Sequence, residues 1–161
     1  MDLESFVDRY PARPPEERPG DPPDVARRLQ AEDGVLSMPC ADEMVPGPHP
    51  GDPGSRHLWV MGPDGIPVVL ESVPELRPPM LHLGVAKHTN LTGGDPACCG
   101  GEAWVHEVDE GHLFLNGGSG RYPARTPEEL AEAVSVFESF GYTVTSAGWS
   151  YENDWPERVF R

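Results

Sequence analysis

The chain contains a single lysine, Lys87, only three cysteines, and no apolar run near the ~20 residues that a membrane helix requires. Each scarcity excludes something. With no Gly-Lys-Ser/Thr, and with no Gly-x-Gly-x-x-Gly leading from a strand into a helix, the phosphate loops of Walker and Rossmann proteins are absent. The absence of an apolar run argues against a membrane span. The start, Met1-Asp2-Leu3-Glu4, lacks the positive-then-apolar order of a secretory signal, so a cytoplasmic protein is expected. Cysteines 40, 98 and 99 are odd in number, and the adjacent pair is badly strained as a mutual disulfide, so reduced thiols are expected. Basic charge is scarce as well. Acidic residues outnumber basic ones 27 to 12, and a formal net charge of −15 repels a phosphate backbone, which excludes nucleic acid as a general partner. The same field suits solubility, a saline cytoplasm or a basic protein partner, and composition does not rank the three. Eleven of the twelve basic residues are Arg, a bias that points to a GC-rich, bacterial source.

The 161 residues suffice for one domain of ordinary size. Their composition changes near residue 57. Residues 1–56 hold 11 of the 20 prolines, in runs that continue neither a helix nor a central strand, and read as a Pro-rich acidic arm separable from the rest. One short helix is expected within it, from Asp24 to Ala31, ended by Gly34.

From 57 to 161 the pattern is that of an α+β domain, a small mostly antiparallel sheet with one main helix packed on a face. Leu58–Met61 and Ile66–Leu70 flank Gly62-Pro63-Asp64-Gly65 and read as a hairpin, with Pro67 pushing the second strand towards an edge. Residues 80–88 alternate as a strand that ends in His88. Residues 103–106 and 112–116 read as another hairpin. Thr126-Pro127-Glu128-Glu129 is a capping box with proline at the first helical position, and Leu130, Ala133, Val134, Phe137 and Phe140 recur on one face up to Gly141. Residues 142–146 read as a last strand, and the tail carrying Trp149, Tyr151 and Trp155 is expected to return to the sheet.

Three glycine-rich polar segments lie against these strands: Lys87 to Gly94, Cys99 to Glu102, and Asn116 to Pro123. Glycines let backbone bend or approach a ligand closely, so the segments are expected to converge on a polar pocket for a small anionic or nucleotide-like molecule. His88, Glu102 and Tyr122 are the candidate catalytic groups. Thr89, Asn90, Asn116, Ser119 and Arg121 are the candidate ligand contacts. Each has a plainer reading: His88 bonding a loop carbonyl, Glu102 holding backbone amides, Ser119 making a turn, Arg121 and Tyr122 clamping the following helix. His82, His88, Cys98, Cys99, Glu102, His106 and His112 fall close together, but without the paired half-sites of a zinc centre, so no metal is expected. No cofactor is implied.

The order His88-Thr89-x-Leu91, a glycine pair, Gly101-Glu102 opening a strand, then Asn116-x-x-Ser119-Gly120-Arg121-Tyr122-Pro123 before a helix resembles a poorly characterised domain of plant IQ-motif calmodulin-binding proteins and of bacterial effector and polymorphic-toxin C-terminal regions. The resemblance spans about residues 80–145. It implies an effector-like protein acting on a small ligand, with a transferase among the activities that fit. The family pattern runs His-Ser-Ser, Ala-Gly-Glu and Ser-Gly-His-Tyr-x-Pro, so Arg121 stands where histidine is usual. No IQ helix is present, and calmodulin binding is not implied. The other class consistent with the sequence is a non-catalytic acidic module of the immunity-protein or adaptor kind, binding a basic protein.

Overall fold

In a computed structural model, residues 1–21, 27–72 and 85–161 are described. The elements are α1 (Leu3–Arg9), β1 (Leu36–Ser37), β2 (Pro46–Gly47), β3 (His57–Met61), β4 (Pro67–Leu70), α2 (Thr89–Thr92), β5 (Cys99–His106), β6 (Asp109–Asn116), α3 (Pro127–Glu138), β7 (Thr143–Ser146), β8 (Trp149–Ser150) and β9 (Trp155–Pro156). Seven strands make one sheet in the order β1-β4-β3-β5-β6-β7, with β2 beside β5. It is mostly antiparallel, β2·β5 and β6·β7 being parallel pairs. The class is α+β.

Strand alternation sorts the two faces. Trp59, Met61, Ala103, Val105, Leu113 and Leu115 point to a core closed by Leu130, Ala133, Val136 and Phe137 of α3. α3 begins as its sequence demands: Thr126 Oγ1 accepts from the Glu129 amide at 3.1 Å. Glu129 answers through the Arg125 amide at 2.9 Å, one residue before the cap. On the other face Leu58, Val60 and Val69 meet Leu91, Ala97 and Tyr122. There Leu58, Glu102 and Asn116 are register partners and form one row across three strands.

Several expectations take a different form. Pro67 does lie near the edge, but β1 covers it, pairing Ser37 with Pro67. The expected helix at 24–31 lies outside the described residues up to Ala26; Arg27–Gln30 are not helical, and a single 3₁₀ turn at Ala31–Asp33 ends at Gly34 with φ 96°. Residues 80–84 of the expected strand also lie outside the described residues. Val85 makes one isolated bridge to Ser72, and His88 opens α2 in helical backbone geometry. In the tail, Trp149 packs against the core and Phe160 stands edge-on to Trp104 and Phe114, whereas Tyr151 is 79 % exposed.

Described residues of the first 56, expected as an arm, enter the core. α1 is capped by Asp2, whose carboxylate accepts from the Ser5 amide at 2.8 Å, and it buries Phe6 completely against α3. Met38, Cys40, Ala41 and Met44 lie in the same cluster. Helix α1 was legible in Leu3, Phe6, Val7 and Tyr10, which recur at helical spacing behind an Asp cap.

Candidate functional site

The three loops meet. Gly100 and Gly101 at the start of β5 allow this by admitting protein atoms. A Cβ on Gly101 would lie 1.9 Å from the Asn116 carbonyl oxygen, and one on Gly100 would lie 2.9 Å from the Trp59 carbonyl oxygen and 3.2 Å from the His88 ring. At the third loop, a Cβ on Gly120 would lie 1.8 Å from the Arg18 guanidinium, and one on Gly118 would lie 3.1 Å from Nε of Arg158. Two arginines from opposite ends of the chain thus lie against this loop.

Of the expected residues, His88, Glu102 and Arg121 line one polar cavity of about 220 Å³, together with Arg18, Glu71, Lys87 and Arg158. His88 is 7 % exposed, and its Nε2 donates to the Gly101 carbonyl at 2.8 Å, leaving Nδ1 as an acceptor. Burial pushes its pKa down to about 4, with the cations Arg158, Lys87 and Arg121 acting in the same direction. The ring is therefore neutral at physiological pH. Glu102 Oε1 accepts from Asn116 Nδ2 at 3.0 Å, and Oε2 faces Arg56 Nε at 3.4 Å. Arg56 also reaches Glu71 at 3.3 Å and lies over the Trp104 ring.

Asn116 is fully buried and fully engaged. Its oxygen accepts from the Glu102 and Gly118 amides at 3.0 and 2.9 Å, and its amide donates to Glu102 and to the Arg158 carbonyl. Asn90 ties Lys87 to Arg27, accepting from the Lys87 amide at 2.7 Å and donating to the Arg27 carbonyl at 2.8 Å. Ser119 is buried, and its Oγ accepts from the Tyr122 amide at 3.0 Å, closing a turn. Tyr122 belongs to the apolar cluster of the second face; its hydroxyl donates to the Asp95 carbonyl at 2.8 Å and touches Thr92 Oγ1 at 2.7 Å. It does not line the cavity of His88 and Glu102. Thr89 lines a neighbouring cavity that shares Arg18 and Arg121.

No family model, curated protein or solved structure matches this chain.

Arg121 holds the N-terminal segment. Its guanidinium grips both oxygens of Asp21, one at 2.6 Å and the other closer, and donates to the Glu16 carbonyl at 3.2 Å. This pairing draws the Asp21 pKa below the ordinary carboxylate value and raises that of Arg121. Nearby, Arg13 donates to the carbonyls of Cys98 and Pro123 at 2.6 and 2.9 Å and pairs with Glu129 at 3.2 Å. Sequence reasoning missed Arg13, Arg18 and Arg158, because the linking chain carries no motif. The available signal was their position between prolines or aromatics in otherwise acidic termini.

All three cysteines are buried and free. Burial raises Cys40 to about 12 and Cys98 to about 11, and lifts Cys99 well above the ordinary thiol value, so none is poised as a thiolate nucleophile. Among the described residues no three His, Cys, Asp or Glu side chains gather closely enough to hold a metal ion, and no helix is long and apolar enough to cross a membrane.

Proposed function

We propose that this protein binds a small anionic ligand in the cavity between the three glycine-rich loops. One observation carries the reading. Arg18, Lys87 and Arg158 converge there, and none forms an ion pair among the described residues, although the chain as a whole carries −15. The two carboxylates of the recess, Glu71 and Glu102, are both engaged by Arg56, so the cations that face it without an ion pair favour an anion from outside. His88 adds a neutral acceptor, suited to a ligand hydroxyl. Glu102, engaged by Asn116 and Arg56, serves to orient Arg56 and the floor of the cavity.

The cavity of about 220 Å³ is below the range of drug-sized sites, which favours a phosphate- or carboxylate-sized group over a whole nucleotide. The segments through which the chain resembles the effector domain are those that line it, which supports carrying over a ligand-handling role but no reaction. The three buried thiols support a cytoplasmic, reducing home.

Titration calorimetry with inorganic phosphate against chloride at matched ionic strength tests the reading. Saturable phosphate binding is expected, weakened about tenfold by Arg158→Gln, since one charge-assisted contact is worth about that much. Absence of saturable binding, or an unaffected variant, overturns it. In that case a basic protein partner recognised by the acidic surface is the better account, and its binding should collapse with rising salt.

A further inference from the structure

Behind Arg18 and Arg121 lies a second cavity of about 510 Å³, lined by Glu16, Glu17, Asp21 and Thr89. The two arginines line both cavities, so they stand between a cationic recess and an acidic one. Asp21 closes the fork of Arg121 with both oxygens, the geometry by which a guanidinium also takes a phosphate. A carboxylate of the chain itself thus occupies this fork.

We infer that the ligand is a monophosphorylated sugar or polyol, its phosphate on Arg121 in place of Asp21 and its hydroxylated body in the cavity lined by Glu16, Glu17 and Thr89. This rests on the anion-binding reading above. Three observations select the class. Neither cavity is lined by Phe, Tyr or Trp among the described residues, so a nucleobase finds no aromatic face to stack on. The Glu16 and Glu17 carboxylates accept hydrogen bonds from hydroxyls and repel a second phosphate, which limits the ligand to one anionic end. His88 Nδ1, on the cationic side, is an acceptor for a phosphate hydroxyl, while the sugar hydroxyls lie across the arginines.

Displacing Asp21 sets a conformational cost on binding, because the segment of Glu16 to Asp21 is held through the same arginine. Removing the internal competitor therefore tightens the ligand, as for any site whose competent state is only fractionally populated.

Calorimetry on the full chain with inorganic phosphate, glucose, glucose 6-phosphate and adenosine monophosphate, at matched ionic strength, tests this. Glucose 6-phosphate is expected to bind at least about tenfold more tightly than phosphate, and the nucleotide no more tightly than phosphate. Asp21→Asn is expected to tighten phosphate and glucose 6-phosphate alike by about tenfold. In the wild-type protein, the Asp21 carboxyl carbon resonance should move towards its unpaired position on saturation, a readout that needs no variant. Equal binding of phosphate and glucose 6-phosphate, tighter binding of the nucleotide, an unmoved Asp21 resonance, or unchanged affinity in a folded Asp21→Asn protein each overturns the inference while leaving the anion site standing. Failure of phosphate to bind either protein removes the reading beneath it.

Discussion

Helix α3 and the described residues before His57 both send side chains into the core on one face of the sheet, α3 with a repeating pattern along its whole length and the N-terminal segment with one in α1 alone. α3 delivers Leu130, Ala133, Val136 and Phe137 to the core at helical spacing. The N-terminal segment delivers Phe6, Met38, Cys40, Ala41 and Met44 to the same core from one short helix and irregular chain. It is fastened by backbone pairs: Arg13 with Ala97 at 2.8 and 2.9 Å, Glu16 to Arg121 at 2.8 Å, Leu29 to Asn90 at 2.8 Å. The difference teaches that proline removes a donor and fixes φ without preventing its neighbours from being buried. A proline-rich composition therefore excludes regular elements and says little about whether a segment belongs to the fold.

The most disruptive way to break this comparison is to remove one of its sides. A chain starting at His57 loses Phe6, Leu29, Met38, Cys40, Ala41 and Met44 from buried positions, along with strands β1 and β2. It is expected to lose cooperative thermal unfolding, because the exposed apolar face then matches or exceeds what a marginally stable domain tolerates. A sharp calorimetric transition in that shorter chain would restore the separable arm that the proline content suggests.

Next in size is a matched pair of cavities. Phe6 and Phe137 are both fully buried, one on each side of the comparison. If both segments are core, Phe6→Ala and Phe137→Ala should each cost about 3–5 kcal/mol in urea unfolding. A cost below about 1 kcal/mol for Phe6 alone would mark the N-terminal segment as a surface covering.

What was legible follows the same division. The β3–β4 hairpin, the β5–β6 hairpin and α3 were readable because a turn, an alternation or a cap wrote each within a few neighbouring residues. The convergence of the loops was readable from their glycines, but the reason for those glycines was not. Gly101 yields to the Asn116 carbonyl, backbone of a strand fifteen residues on, and Gly120 lies against a guanidinium more than one hundred residues earlier in the chain. Ser119, Tyr122, Asn90 and Asn116 are polar residues engaged inside the protein, and nothing local separates such residues from ligand contacts. Long-range pairs such as Arg121 with Asp21 leave no periodic trace.

The smallest effect sharpens the comparison where its two sides meet, at His88, a ring from the loops with Arg18 of the N-terminal segment lining the same cavity. Its folded pKa of about 4 lies below the ordinary value of 6.5 because burial disfavours the imidazolium, and Arg158, Lys87 and Arg121 reinforce this. Between those two values the unfolded chain binds a proton that the folded chain refuses, so stability rises with pH across the window. Read downwards, the contribution is fully present above about pH 6.5 and is lost as pH falls towards 4, by on the order of 3 kcal/mol. Carboxylates titrate in part of this range too, so the effect is isolated by difference. Urea unfolding at pH 7 and pH 4.5 should show the wild-type protein losing more stability than His88→Gln, whose amide can still donate to the Gly101 carbonyl but takes up no proton. Equal losses would mean that the ring reaches water, and that the N-terminal segment with its arginines does not close the loops beneath it.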